Sequence, residues 1–328
     1  MKTIIVTHAS KLMFGKVVKC PDAVAAIWAY LHTHPTISLE DLEIIWQPYL
    51  SADAYENFKI PFDYEGRDML FFDFCYPEHI MKEIVSKCKT LTALDHHEPR
   101  QNVLENLETF SRKALGRYGD EQFCGATLVW ENYTHEPLPW FLSKVWERDT
   151  GANGYYEGEI LKSESFNTWL SKQRQGKSLQ EVMDLYDSLY DLKEPTPKME
   201  DIRNLEKREA LCKEETDNWE SNRTYIKLKG YIVPFIKIKN SKCDKYYSHV
   251  GRHLKNYNDY PFVVIQCKDD NNAFHLRGSK YCPIHLGFFA EALGGGGHKR
   301  AAGFTNGKDR FFYITPTLKV IGKISDIK

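Results

Sequence analysis

The sequence predicts an α/β protein, with a largely parallel sheet in an N-terminal domain and a smaller α+β domain after it. Three observations carry this. Runs rich in β-branched and aromatic residues alternate with helix-patterned stretches through the first half, the mark of βαβ units. A highly charged segment with two prolines near its start, KEPTPKMEDIRNLEKREALCKEETDNWESNR, breaks that alternation at Lys193. Strand patterns then resume at Thr224 and close on a glycine-rich segment. A chain of 328 residues exceeds one small core, so two domains are expected. The expected boundaries are 1–192, a charged helical connector at 193–223, and 224–328.

Lys2–Thr7 (KTIIVT) reads as a buried strand. Asp22–His32 reads as a helix, with Pro21 before it and Asp22 at the N-cap or in the first turn. Ile44–Trp46 and Asp68–Phe74 are the next strands, and Glu78–Lys89 is a helix entered through Pro77. Leu91–Leu94 is a fourth strand, and Pro139–Trp146 a further helix. In the second domain, strands are expected at Tyr225–Leu228, Tyr231–Lys239, Tyr260–Cys267 and around Asn271–Leu276.

Hydrophobic residues make up 42% and charged residues 27%, the mixture of an ordinary soluble globular protein. A formal charge of −1 excludes a polycation, so extended nucleic acid would need local patches, whereas a small anionic substrate is compatible. Eight cysteines without a CxxC pair argue against a zinc ribbon or disulfide scaffold and fit a reducing compartment. The apolar start is too short for a signal peptide and no run reaches membrane-spanning length, so a cytoplasmic protein is expected.

In parallel sheets, ligands gather beyond the carboxyl ends of the strands. His8, Asp73 and the triplet Asp95-His96-His97 each follow or end a strand pattern, and Glu147-Arg148-Asp149-Thr150-Gly151 follows the Pro139–Trp146 helix. Taken alone, DHH reads equally well as a polar turn closing a buried strand. Together, carboxylates and imidazoles without thiolate pairs suit Mn²⁺ or a similar divalent ion. Two ions about 3.5–4 Å apart, sharing a carboxylate, would serve phosphoester cleavage. In the second domain, GGGGHKRAAGF (Gly294–Phe304) reads either as a flexible loop or as an anion-binding turn flanked by His298, Lys299 and Arg300. Arg277 is either a surface arginine or a bidentate phosphate ligand. Metals in the first domain and phosphate grips in the second predict a cleft between them.

LDHHEP together with GGGGHKRAAGF resembles the DHH phosphoesterase superfamily in its two-domain form with a DHHA1 domain. KCPDAVAAIWA, LFFDFCYP, LDHH and KVWERDTG are similar to its four motifs, and FCGATLVWE and FHLRGS resemble one subgroup. The matches run from about residue 3 to residue 304. Members include oligoribonucleases, 5′ single-strand exonucleases and cyclic-dinucleotide phosphodiesterases that use Mn²⁺. The resemblance therefore implies a hydrolase for short linear nucleotides or cyclic dinucleotides, using one or two Mn²⁺ ions, with Mg²⁺ or Co²⁺ as substitutes. From the sequence itself, no membrane and no obligatory protein partner are expected.

Carried over residue by residue, the resemblance makes His8, Asp22, Asp73, His96 and Asp149 metal ligands, with Asp73 bridging. Asp95 would orient an imidazole, and His97 would face the substrate phosphate or attacking water. Arg277, Gly295, Gly296, Gly297 and His298 would hold phosphate. Three departures stand out. His8 and Asp22 are fourteen positions apart, Cys20 occupies the place of the first motif's leading aspartate, and Ala23 replaces a glycine or serine. Cys20 is therefore read as an inert cysteine or a poor ligand, and Glu147 as an alternative to Asp149. One tight and one weak metal are expected.

Overall fold

The computed structural model describes residues 2–11, 17–50, 52–120, 122–150, 157–190, 192, 199–222, 224–240, 250–251, 253–254, 259–268, 273–279, 281–293, 295–305 and 319–321. Gly151, Gly294, residues 193–198 of the charged segment and residues 271–272 of the last expected strand lie outside them. The chain divides into two compact units, Met1–Tyr49 with Phe58–Ile202 and Leu50–Asn57 with Arg203–Lys328.

In the first unit, β1 (Thr3–Lys11), β3 (Leu42–Gln47), β4 (Asp68–Phe72), β5 (Thr90–Asp95) and β6 (Ala114–Tyr118) form a parallel sheet. Their order is β3-β1-β4-β5-β6, and β2 (Val17–Lys19) pairs antiparallel with the far end of β1. Ile4, Ile5, Val6, Met69, Phe71, Phe72, Ala93 and Leu94 are fully enclosed, as expected for central strands covered on both faces. This explains why those runs are continuously apolar rather than alternating.

Helices α1 (Pro21–Thr33), α3 (Gly125–Tyr133), α4 (Trp140–Thr150), α5 (Glu157–Arg174) and α6 (Leu179–Tyr190) share one core around Trp28. The Trp28 ring stacks 5.8 Å from Trp130 and meets Phe141 edge-on at 4.9 Å, a geometry aromatic quadrupoles favour. Helix α2 (Glu78–Lys87) buries Ile80, Met81, Ile84 and Val85, a stripe at helical spacing.

Two expectations are corrected here. The first strand does not stop at Thr7; it continues to Lys11 because β2 returns to pair with it. The helix expected to end at Trp146 runs to Thr150, so Glu147 and Asp149 lie in its last turns rather than after it. Lys144 and Glu147, three residues apart on α4, form a buried ion pair at 2.7 Å that supports this continuation.

The second unit holds a seven-stranded sheet: β7 (Tyr225–Leu228), β8 (Tyr231–Lys237), β9 (Phe262–Gln266), β10 (Ala273–Gly278), β11 (Gly296–Gly297), β12 (Ala301–Thr305) and β13 (Lys319–Ile321). Their order is β11-β12-β10-β9-β8-β7-β13. Alternation divides β9 between two cores. Phe262 and Val264 join Phe274, Leu276 and helix α8 (Leu286–Glu291), while Val263 and Ile265 join helix α7 (Met199–Asn222) through Cys212 and Trp219.

Helix α7 is thus not simply the solvated connector its charge predicts. Buried Glu215 accepts hydrogen bonds from the amides of Lys239 and Asn240, the shortest at 2.6 Å, which anchors the helix to the end of β8. Among the described residues, no helix is long and apolar enough to cross a membrane.

Candidate metal centre

The carboxyl-end edge of the first sheet gathers the polar residues that the strand patterns deliver. Strand β1 keeps parallel register with β3 as far as His8. Strand β4 ends at Phe72, and Asp73 turns the chain with φ 55°, a left-handed conformation that aspartate tolerates better than most residues. The Asp73 amide donates to the Leu94 carbonyl at 3.0 Å, which holds this turn against β5. Asp95 is the last residue of β5, and His96 and His97 follow it.

Asp22 reaches the same place from helix α1, where Cys20 is the N-cap and Pro21 the first helical residue. Its two oxygens accept the amides of Gly125 at 2.6 Å and Ala126 at 2.8 Å, the first residues of α3. A carboxylate there satisfies donors that no helical carbonyl can reach and meets the positive end of the helix dipole. Gly125 is needed at this point. A β-carbon on it would lie 2.5 Å from Asp73 Cβ and 2.9 Å from Asp22 Oδ2.

Three carboxylates surround one imidazole nitrogen. His96 Nε2 lies 3.2 Å from Asp149 Oδ2, 3.3 Å from Asp73 Oδ1 and 3.8 Å from Asp22 Oδ2. Glu147 is turned to Lys144 instead, so Asp149 is the acid of α4 that meets this group. His97 Nδ1 donates to Asp95 Oδ1 at 2.6 Å, and the His96 amide donates to the same oxygen at 2.8 Å. His8 Nδ1 lies 3.8 Å from the other oxygen of Asp73. Donor atoms of Asp22, His96 and Asp149 lie within 4.8 Å of one another, as do those of His8, Cys20 and Asp73.

The charges are unbalanced. Burial, then Asp22, Asp149 and Asp95, push the Asp73 carboxyl well above the usual range, and burial followed by Asp149 raises Asp22. Asp95 goes the other way. Burial opposes its ionisation, but His97 and His96 outweigh it and hold the carboxyl at about 2. Burial and His97 press His8 down to about 3, leaving its imidazole neutral. Buried Asp73 Oδ2 has no hydrogen-bond partner. Crowded carboxylates, a neutral imidazole and an unsatisfied carboxylate oxygen fit a divalent cation with oxygen and nitrogen donors.

One contact of the site has no counterpart in the motifs. Tyr49, two residues beyond β3, donates its hydroxyl to Asp95 Oδ2 at 3.3 Å, and its ring lies 5.0 Å from His8 and 5.1 Å from His97. The signal that could have found it is its place past a parallel strand's carboxyl end.

In the second unit, His275 and Arg277 alternate with buried Phe274 and Leu276 on β10, so they share the other face. Burial, then Arg277, lowers the His275 imidazole to about 3. The Arg277 guanidinium donates to the carbonyls of Leu276 at 2.6 Å and Ala302 at 3.3 Å.

The glycines beside them are required by packing. A β-carbon on Gly295 would lie 1.9 Å from the Gly303 carbonyl oxygen, and Gly297, at φ 137°, would meet the Ala301 oxygen at 2.6 Å. The amides of Gly295 and His298 donate to the carbonyls of Ala290 and Ala301. The Gly295 bond caps the end of α8 and the His298 bond closes the β11–β12 turn, so both amides are engaged with backbone carbonyls.

No family model matches the chain. It is 22% identical over 296 residues to uncharacterized protein R106 of Acanthamoeba polyphaga mimivirus, covering 84% of this chain. The chain spans 62% of the length of that curated relative. Among solved structures it is similar to the pGpG-specific phosphodiesterase PggH of Vibrio cholerae, with 14% identity, a TM-score of 0.46 and coverage of 96% and 97% of the two chains. It is also similar to RecJ of Thermus thermophilus in complex with Mn²⁺, with 11% identity and a TM-score of 0.42, covering 96% of this chain and 51% of that one.

Proposed function

We propose that this chain is a metal-dependent phosphodiesterase of the DHH type that hydrolyses short nucleotides, either linear di- and oligonucleotides or cyclic dinucleotides, with Mn²⁺ as its ion. One observation carries the reading: three carboxylates, from Asp22, Asp73 and Asp149, converge on His96 Nε2 within 3.8 Å at the carboxyl edge of a parallel sheet. The quoted DHH and GGGGH segments add their resemblance to it.

Asp22, Asp73, His96 and Asp149 would hold the ion, with His8 beside the second oxygen of Asp73. Bound there, a divalent ion supplies Lewis acidity and charge neutralisation for attack of water on phosphorus. The chain's own residues do the rest. Asp95 fixes the His97 ring through Nδ1, so contact with a phosphate oxygen or the transferred proton falls to Nε2. In the second unit, Arg277 and His298 are the proposed phosphate-binding groups, and Gly295 and Gly297 permit close backbone packing in the segment that leads to His298.

The test is a product profile with Mn²⁺ on a 5′-phosphorylated dinucleotide, a cyclic dinucleotide and a single strand of about twenty nucleotides. Turnover of the short substrates, abolished by His96→Ala and by Asp73→Ala, is expected. Processive digestion of the long strand would assign a 5′ single-strand exonuclease instead. Binding without turnover on the whole panel would leave a nucleotide-binding protein.

A further inference from the structure

The fourteen-residue separation of His8 and Asp22 has a structural cause, which also gives Cys20 a place. Strands β1 and β2 form a hairpin in which Ala9 pairs with Lys19, Ser10 with Val18 and Lys11 with Val17. The next step of that register sets Cys20 across from His8. Helix α1 then begins at Pro21, so Cys20 is its N-cap, with backbone ψ 134° and no side-chain capping bond. His8 Nδ1 or Nε2, Cys20 Sγ and a carboxylate oxygen of Asp73 lie within 4.8 Å of one another.

Asp73 divides its carboxylate between two groups. Its Oδ1 faces His96 Nε2 at 3.3 Å, and its Oδ2 faces His8 Nδ1 at 3.8 Å. The residue is 1% exposed and Oδ2 has no hydrogen-bond partner, so a buried acceptor is aimed at the His8–Cys20 side. Cys20 and Cys282 are partly buried, whereas Cys75, Cys88, Cys124, Cys212 and Cys267 are buried.

The two donor sets call for different ions. Asp22, Asp73, Asp149 and His96 offer mainly oxygen, which suits Mn²⁺ and Mg²⁺. Nitrogen, sulfur and oxygen from His8, Cys20 and Asp73 suit a softer ion, because a thiolate is a poor donor for Mn²⁺ and a good one for Zn²⁺. Three protein ligands with one position left for water or substrate is the pattern of a catalytic zinc site.

We propose that His8, Cys20 and Asp73 form a second metal site selective for a borderline-soft divalent ion of the zinc class, sharing Asp73 with the oxygen-rich set. The site rests on the reading of this cluster as a metal centre. On binding, the Cys20 thiol gives up its proton to solvent and its sulfur becomes a ligand.

The experiment uses the full-length, metal-free chain under reducing, oxygen-free conditions. Mn²⁺ uptake is measured first by electron paramagnetic resonance, and Co²⁺ is then titrated in as the spectroscopic stand-in for Zn²⁺. A thiolate-to-cobalt charge-transfer band that saturates at a single equivalent and is displaced by Zn²⁺ is expected. Cys20→Ala should lose the band and keep Mn²⁺ uptake at the other set. Cys20→Asp should lose the band and take up a second Mn²⁺, which also covers the case of an alanine variant that does not fold. A parent chain without the band, or a band that persists in a folded Cys20 variant, overturns the second site. Mn²⁺ uptake in the same samples reports separately on the oxygen-rich centre, so a chain that takes up Mn²⁺ but shows no band rejects this inference alone.

Discussion

Asp95 decides what His97 can do. The carboxylate is completely buried, yet it accepts from the His97 ring at 2.6 Å, from two backbone amides and from Tyr49. Its carboxyl is held at about 2, so it stays ionised across the working range and keeps the hydrogen of His97 on Nδ1. Asp95→Asn replaces that acceptor with an amide of similar shape that can present a donor to the same nitrogen. Turnover should fall by about 10²-fold or more, the scale of a lost proton-transfer group, while Mn²⁺ affinity changes little. Steady-state kinetics alongside a metal titration would check this, and an equal loss in both would make Asp95 a metal ligand instead. At this scale the chemistry-bearing residues are legible in the sequence, because aspartate and histidine at strand ends are few and conspicuous. Tyr49 is not, since an aromatic residue after a strand has many ordinary uses and only the fold brings it to Asp95.

At the scale of elements, the contact that assembles the centre is α3 beginning on the Asp22 carboxylate. Asp22 and Gly125 are 103 positions apart, and no local pattern in either segment announces the pairing. The apolar strand runs are legible because a parallel sheet enforces them. The β1–β2 hairpin is not, because its pairing partner lies beyond a stretch without alternation, and α3 is visible only as part of a resembling motif. Gly125→Ala tests the joint directly. The new methyl would sit 2.5 Å from Asp73 Cβ, against side chains anchored by their own backbone turns. Overpacking of this kind costs about 1–3 kcal/mol, and relieving it would separate Asp22 from Asp73. Weaker metal binding together with a lower denaturation midpoint is expected. A normal midpoint with normal affinity would show that the α1–α3 junction yields without disturbing the carboxylates.

For the whole molecule, the unbalanced charge at one sheet edge makes ion binding a stability term for the unit that contains it. Asp22 and Asp73 titrate above their unfolded values. The metal-free fold therefore carries a penalty at neutral pH that fades as pH falls toward the ordinary carboxylate range, and a divalent ion removes it without acid. At a hundredfold excess over its dissociation constant, an ion adds about 2.7 kcal/mol, which for a unit of this size raises the midpoint by about 5–10 °C. The chain supplies its own reporter. Of its seven tryptophans, Trp28, Trp46, Trp130, Trp140, Trp146 and Trp169 lie in the first unit and Trp219 in the second, so six report on the unit with the carboxylate cluster. The tryptophan-detected transition should move upward with Mn²⁺ and return with chelator. Asp73→Asn should hold or raise the metal-free midpoint, because it removes a buried charge, and should abolish the response to Mn²⁺. If that variant instead lost stability without metal and still responded, the Asp73 carboxylate would be serving the fold rather than the ion.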